Sequence, residues 1–224
     1  MRLYGYWRSS ASYRVRIALA LKGVTYEYVP VHLVRDGGEQ RAADYRAKNP
    51  MAQVPTLELE ADLDEWEGPE GAVVRLSQSI AILEWLDETY PTPPLLPKKA
   101  LDRARARELA EIVNSGMQPL QNLPLMAELK RLGGDAAGPA FARAANEHGL
   151  AALEAKALVS AGKCLVGDDV TIADVCLVPQ LYGARRFGVD VAAYPTIARV
   201  EAGLVALPAF AAAHPDRQPD AQPA

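Results

Sequence analysis

The chain has few of the residues on which redox and metal chemistry depend. It contains only two cysteines, Cys164 and Cys176, with no CxxC pair, and three scattered histidines among 224 residues. No cysteine precedes Cys164, which excludes a thioredoxin-type dithiol in the first half of the chain. The histidines and cysteines have no zinc-ligand spacing, so we expect no metal site. We predict two reduced thiols in the core.

Long apolar runs and an excess of positive charge are also missing. No stretch approaches the ~18 apolar residues of a membrane helix. Arginines interrupt the amino-terminal region, so we predict no signal peptide. The formal net charge of −4 does not favour nucleic acid or an anionic membrane as a partner. We expect a cytoplasmic globular protein whose anion sites are built from a few local cations.

The first ninety residues carry alternating strand and helix patterns. The order β-α-β-α-β-β-α is typical of a small α/β domain. Gly23 is expected to end the first helix in a left-handed conformation. An acidic Gly/Pro segment at 61–71, which contains Trp66, is predicted to be a hairpin loop. Strands are predicted at 2–6, 26–33, 54–60 and 72–77, and helices at 11–22, 39–47 and 79–90.

The pattern changes after residue 90. PTPPLLPKK, residues 91–99, carries four prolines and is predicted to be a linker between domains. From residue 100 the 3.6-residue period of apolar positions predicts helices only. We therefore predict an α/β domain at 1–90 and an all-α domain at 100–224 that ends in a flexible tail. Helices are predicted at 100–122, with a kink or end at Pro119, at 141–162 and at 170–188, with one or two more within 195–214.

A cluster of small polar residues lies between the first strand and the first helix. This serine cluster consists of Ser9, Ser10 and Ser12. A helix N-terminus presents unpaired N–H groups and a partial positive charge, which stabilise a thiolate or a carboxylate. An ordinary N-cap with turn residues is the alternative.

Two further motifs could contact a ligand through main-chain or polar groups. Pro55 follows Val54 at the start of a strand, and a cis bond there would expose the backbone groups of Val54. A strand-initiating trans proline is the alternative. Gln78 and Ser79 open the helix after the fourth strand, where an amide and a hydroxyl suit a carboxylate. A plain N-cap also explains Ser79.

The order of these motifs resembles that of a known family. SSxSxRVRIALxLKG, NPMxQVPTL, QSxAIxEWL, PTPxLLP, QPLQN, VGDxVTxADxCLVPQ and a closing HPxRQPD resemble the zeta-class glutathione transferases over nearly the whole chain. The resemblance implies the glutathione transferase fold, with a thioredoxin-like N-terminal domain, an all-helical C-terminal domain and a homodimer. It also implies glutathione as cofactor and a small dicarboxylic keto acid as substrate.

The resemblance assigns roles to individual residues. It implies that the Ser9 hydroxyl hydrogen-bonds the glutathione sulfur, with Ser10 beside it. Arginine binds carboxylates with two hydrogen bonds. Arg8 and Arg186 are therefore predicted to bind substrate carboxylates, and Arg185 is a weaker candidate for the same role. The remaining implied contacts to glutathione come from Ser12, Gln40, Val54, Pro55, Gln78, Ser79, Gln118 and Asn122.

One position departs from the class pattern. Many zeta-class members have cysteine at the third position of the serine motif, where this chain has Ala11. The cis–trans isomerisation that the resemblance implies uses the thiol of glutathione, so the absence of this cysteine leaves the reaction possible. It excludes a protein thiol from the site.

The resemblance implies cis–trans isomerisation. A thiolate that adds to a cis double bond allows rotation, and its elimination leaves the trans isomer. Maleylacetoacetate, from tyrosine breakdown, is the first expected substrate. The alternatives are maleylpyruvate from gentisate, conjugation of small electrophiles such as α-halo acids, and a non-catalytic glutathione-binding module.

Overall fold

The computed structural model describes residues 1–59 and 73–222, and these form two compact units. The first unit comprises Met1–Pro93 together with the segment that begins at Ala212, and the second comprises Pro94–Ala211. The predicted hairpin loop with Trp66 lies outside the described residues. Among the described residues, no helix is long and apolar enough to span a membrane.

The first unit is built on a four-stranded mixed sheet. Its strands are β1 (Arg2–Gly5), β2 (Glu27–Pro30), β3 (Thr56–Glu58) and β4 (Arg75–Ser77). The spatial order is β2-β1-β3-β4, with β1 parallel to β2 and antiparallel to β3, and β3 antiparallel to β4. The sheet thus contains the four strands that the sequence pattern predicts, each shorter than its apolar stretch.

The described residues of Met1–Pro93 also form the helices α1 (Ser10–Leu21), α2 (Ala43–Arg46) and α3 (Ser79–Thr89). α1 packs against α3, and Gly23 follows α1 with a φ of 65°, as the sequence predicts. The single helix predicted at 39–47 is wrong. The chain instead forms a 3₁₀ turn at Glu39–Arg41 and then α2, because Ala42 between them is extended.

The second unit is helical, as predicted. It contains α4 (Ala100–Asn114), α5 (Leu123–Gly133), α6 (Ala137–Ser160), α7 (Ile172–Arg186) and α8 (Pro195–Val205), and α9 (Pro208–Ala213) follows. α4 packs against α7, and α6 packs against α4, α5 and α8. Cys164 and Cys176 are both buried as thiols.

Two helix boundaries in this unit differ from the sequence prediction. The helix predicted at 100–122 ends at Asn114, and Pro119 lies in the first turn of a separate 3₁₀ turn, Gln118–Gln121. α5 was not predicted. It begins with Pro124 in its first turn, a position that tolerates the missing N–H of proline.

A capping box starts α7, as the sequence predicts. The Thr171 hydroxyl oxygen accepts a hydrogen bond from the N–H of Ala173 at 3.3 Å. One oxygen of Asp174 accepts from the N–H and the hydroxyl of Thr171, at 2.8 and 2.9 Å. The other oxygen accepts from the N–H of Leu165 at 2.8 Å. Asp174 thereby joins the loop before α7 to the helix.

The carboxyl-terminal residues differ from the flexible tail of the helical domain that the sequence analysis expects. Residues 212–222, here called the closing segment, belong to the first unit. They include a 3₁₀ turn at Pro215–Arg217. The Arg16 Nε donates to the Ala213 carbonyl at 3.1 Å, and the N–H of Trp7 donates to the Asp220 carboxylate at 3.0 Å. Buried donors in α1 and the loop before it thus find acceptors in the closing segment.

Candidate active site

Ser9 caps α1 and keeps a donor at its N-terminus. Its backbone is extended, with φ −70° and ψ 120°, and its hydroxyl oxygen accepts a hydrogen bond from the N–H of Ser12 at 3.2 Å. A serine hydroxyl that accepts one hydrogen bond still has its own proton to donate. The side chain is half-buried. Ser9 can therefore act as an N-cap and donate to an anion at the same time.

The other two serines of the cluster differ from each other. Ser10 is half-buried in the first turn of α1. Ser12 is fully buried, and its hydroxyl oxygen accepts from the N–H of Tyr6 at 3.4 Å. The expected ligand contact of Ser12 is therefore replaced by an internal one. Its hydroxyl satisfies a buried backbone donor in the loop between β1 and α1.

The Val54–Pro55 bond is cis, the first of the two alternatives that the sequence leaves open. Among the residues that the structure describes, neither the N–H nor the C=O of Val54 has a hydrogen-bond partner. Val54 lies just before β3, outside the range Thr56–Glu58 that pairs with β1 and β4, so these two groups lie beyond the paired part of the sheet. An extended peptide can pair with such a donor and acceptor.

The start of α3 combines three polar groups. Gln78 is exposed and has a φ of 71°, in the left-handed region that disfavours side chains. Ser79 is buried, and its hydroxyl oxygen accepts a hydrogen bond from Nη1 of Arg14 at 3.1 Å. Arg14 is fully buried. Its positive charge adds to the partial charge of the α3 N-terminus, which favours a carboxylate there.

Sequence reasoning did not select Arg14 as a site residue. The signal was present, because Arg14 lies among the apolar residues of α1, next to Val15. An arginine is almost never fully buried unless polar groups surround it. Its position in an apolar helix therefore indicates an internal partner.

Gln40 and Arg8 are two further predicted site residues of the first unit. Gln40 is buried in the 3₁₀ turn, and its Nε2 donates to the Leu33 carbonyl at 3.3 Å. Its Oε1 is buried without a hydrogen-bond partner among the described residues. The Arg8 guanidinium lies 5.1 Å from the centre of the Trp7 ring, so a cation–π contact orients it.

Three of the four site residues predicted in the second unit take part in two separate side-chain pairs. Nε2 of Gln118 donates to Oδ1 of Asn122 at 2.8 Å, so the structure brings these two amides together. Arg185 donates to both carboxylate oxygens of Glu201, at 2.6 and 2.5 Å. The hydrogen bond to Glu201 raises the pKa of Arg185. Arg186 is exposed in the last turn of α7.

The ion pair changes the expectation for Arg185. Its guanidinium fork is already matched by the Glu201 carboxylate, which belongs to α8 and is itself buried. A bidentate pair of this kind leaves little capacity to bind a second carboxylate. Arg185 therefore joins α7 to α8, which weakens the expectation that it binds a substrate carboxylate.

Comparisons with known proteins cover the whole chain. The model for the glutathione S-transferase N-terminal domain matches residues 8–89, and that for the C-terminal domain matches residues 130–208. Maleylacetoacetate isomerase of Rattus norvegicus is 47% identical, over 97% of this chain and 94% of the relative. That of Dictyostelium discoideum is 44% identical, over 99% of this chain and 96% of the relative.

Solved structures agree with these relatives. Maleylacetoacetate isomerase from Anaeromyxobacter dehalogenans 2CP-1, with glutathione in its active site, is 50% identical with a TM-score of 0.87, covering 99% of this chain and 97% of that one. A maleylpyruvate isomerase, described as a bacterial zeta-class glutathione S-transferase, is 42% identical with a TM-score of 0.89, covering 99% of this chain and 100% of that one. The chain therefore belongs to the zeta class of the glutathione transferases, in the family of the maleylacetoacetate isomerases.

Proposed function

We propose that this protein is a glutathione-dependent cis–trans isomerase that converts maleylacetoacetate to fumarylacetoacetate. One observation carries the proposal: Ser9 caps α1 and still has a hydroxyl proton to donate at the helix N-terminus. Relatives named as maleylacetoacetate isomerases match almost the full chain, which supports the same activity.

The polar groups of the first unit fit glutathione. The N–H and C=O of Val54 suit the backbone of a bound peptide. Ser79 and the buried Arg14 suit its γ-glutamyl carboxylate, and Gln78 lies next to them. The unpartnered Oε1 of Gln40 suits an N–H donor. Together these groups match the backbone, the carboxylate and the N–H donors of a small acidic peptide.

Glutathione, when bound, supplies a thiolate that adds to the cis double bond, permits rotation and is then eliminated. The task of the protein is to hold that sulfur deprotonated. The Ser9 hydroxyl donates a hydrogen bond to it, and the partial positive charge of the α1 N-terminus favours the anion. Ser10, in the same first turn, is the second hydroxyl of this proposal.

The substrate is a dianion, so its recognition requires cations. We assign this role to Arg8, which the Trp7 ring orients, and to Arg186. Gln118 and Asn122 remain predicted polar contacts to glutathione. We also propose that the enzyme is a cytoplasmic homodimer and acts in tyrosine and phenylalanine breakdown.

A spectrophotometric assay of maleylacetoacetate and maleylpyruvate, each with and without glutathione, tests the proposal. We expect glutathione-dependent conversion of maleylacetoacetate to the trans product with no loss of thiol. A higher rate with maleylpyruvate would favour the second candidate, to which the similarity with a maleylpyruvate isomerase structure points. Consumption of thiol with α-halo acids, and no isomerisation, would indicate a conjugating enzyme instead.

A further inference from the structure

The closing segment contacts the loop that carries Ser9. Oδ2 of Asp220 accepts hydrogen bonds from the N–H of Trp7 at 3.0 Å and from the hydroxyl of Tyr28 at 3.3 Å. Trp7 is in the loop between β1 and α1, two residues before Ser9. One carboxylate thus binds the backbone of this loop and a side chain of β2.

Arg16 binds the same loop from the α1 side. Its guanidinium donates to the carbonyls of Tyr6 at 3.4 Å, Trp7 at 2.9 Å and Ala213 at 3.1 Å. Arg16 is 1% exposed. A single buried cation therefore connects α1, the loop and the closing segment, and it uses the donors of its planar fork to do so.

Asp220 also places a negative charge near Arg16. Burial lowers the pKa of Arg16, and Asp220 is among the groups that raise it again. The three hydrogen-bond acceptors of Arg16 are neutral carbonyls, and Asp220 adds a carboxylate charge to this environment. Loss of Asp220 would remove this charge together with the two hydrogen bonds that its Oδ2 accepts.

The position of Ser9 depends on the backbone that these two residues hold. The N–H of Ser9 donates to the carbonyl of Tyr6 at 3.0 Å, and Arg16 donates to that same oxygen. The backbone of Trp7 is bound on both sides, with its N–H on Asp220 and its carbonyl on Arg16. A shift of this loop would move the Ser9 hydroxyl by a similar amount.

We infer that Asp220 and Arg16 are positioning residues for Ser9, and that the closing segment is therefore part of the catalytic apparatus. The inference rests on the proposed function of Ser9 as the donor to the glutathione sulfur. The HPxRQPD motif, which supplies none of the proposed contacts to glutathione, thereby gains a role.

The test is Asp220→Ala in the full-length enzyme, with Asp216→Ala as matched control. Asp216 lies in the same segment, and its side chain is 67% exposed. Three quantities are measured: the pKa of the bound glutathione thiol from its ultraviolet absorbance, kcat, and KM for glutathione. We expect Asp220→Ala to raise the thiol pKa and to lower kcat roughly tenfold or more, because catalysis is sensitive to small displacements. KM should change less, since Val54 and Ser79 remain in place.

Amide exchange gives a readout that does not depend on catalysis. Mass spectrometry of peptides that cover residues 6–12 should show faster exchange in Asp220→Ala and unchanged exchange in Asp216→Ala. If Asp220→Ala does not fold, two milder variants carry the test. Asp220→Asn keeps an acceptor for Trp7, and Tyr28→Phe removes only one donor, so both should shift the thiol pKa in the same direction by less.

Two results would overturn the inference. In the first, Asp220→Ala matches the wild type in thiol pKa and kcat. In the second, the exchange of residues 6–12 rises while the thiol pKa stays unchanged, which would make the contact purely structural. A wild-type enzyme that neither lowers the thiol pKa nor isomerises either substrate would instead refute the proposed function, and the inference with it.

Discussion

Arg14, fully buried in α1, donates a hydrogen bond to the hydroxyl oxygen of Ser79, the first residue of α3. The pair brings a positive charge from one helix to the N-terminus of another. Because a hydroxyl that accepts from arginine directs its own proton elsewhere, Ser79 can donate to a bound carboxylate. We therefore expect the affinity for glutathione to depend on Arg14, which glutathione does not need to touch.

Ser79→Ala should weaken glutathione binding with little effect on turnover. The lost hydrogen bond to a carboxylate corresponds to about a tenfold rise in KM for glutathione. Ser77→Ala in β4, two residues earlier, is the control and should leave KM unchanged. Steady-state kinetics with glutathione varied distinguishes the two. Equal KM values in both variants would remove Ser79 from the binding site.

Ser9→Ala should lower kcat about a hundredfold, because the sulfur loses its hydroxyl donor. The same change removes an N-cap and costs about 1 kcal/mol of unfolding free energy. Ser9→Gly separates the two effects, since glycine at an N-cap costs only a few tenths of a kcal/mol, roughly. Both variants should lose turnover equally, although only the alanine variant is clearly destabilised in urea. Full turnover in Ser9→Gly would transfer the role to Ser10 or to the backbone.

Gln78→Gly should stabilise the fold and weaken glutathione binding together. Glycine adopts a φ of 71° without side-chain strain, so we expect a gain of about 1 kcal/mol in unfolding free energy. Ala52→Gly is the matched control, because Ala52 also has a positive φ, of 53°, and is not among the predicted site residues. It should gain stability without a change in KM. A lower stability of Gln78→Gly would show that the side chain contributes to the fold.

Arg185→Met should mainly lower stability, whereas Arg186→Met should mainly weaken substrate binding. Arg185 is paired with the buried Glu201 but is itself half exposed, so its loss should lower the unfolding free energy by about 1 kcal/mol and leave KM for the keto acid nearly unchanged. Arg186→Met should keep stability and raise KM for the dicarboxylic substrate about tenfold or more. Thermal unfolding and substrate kinetics on both variants check this. The reverse pattern would exchange their roles.

The stability of the second unit should depend on pH through Asp174. Burial raises the pKa of this carboxyl to about 6, above its ordinary value of about 4. At a pH between these two pKa values, Asp174 carries a proton in the folded protein but not in the unfolded chain. The contribution of Asp174 to stability should therefore fall as the pH rises from about 4 to about 6, and stay constant above that.

Asp174→Asn is the reference variant for this measurement, because its amide does not titrate. The difference in unfolding free energy between wild type and Asp174→Asn should decrease across that pH window. A difference that increases with pH would mean that the hydrogen bonds from Leu165 and Thr171 outweigh burial and lower the pKa.

Local patterns were enough to predict most of the fold. The strands and α1 follow from alternating and 3.6-residue apolar periods, and the Thr171–Asp174 capping box follows from its spacing. The sequence analysis assigns no helix to 123–133, although α5 begins there with a proline in its first turn, a position that a helix accepts. The extended backbone at Ala42, which divides the predicted helix, has no marker in the residue type.

The candidate site was predictable in part. Ser9, Val54 and Ser79 follow from helix starts and from Val-Pro before a strand, features that are local in sequence. The burial of Ser12, the contact of Arg14 with Ser79 and the pairing of Arg185 with Glu201 depend on packing between distant elements. Single-sequence patterns do not contain that information.

The placement of the closing segment has a consequence for synthesis of the chain. Arg16 requires the carbonyl of Ala213, and Trp7 requires the carboxylate of Asp220. On the ribosome, strands and helices of the first unit can begin to form early, but these two acceptors emerge only after the whole helical unit has been translated. The part of the protein made first is therefore completed last. A nascent chain stalled before Ala213 should hold an unfinished glutathione site.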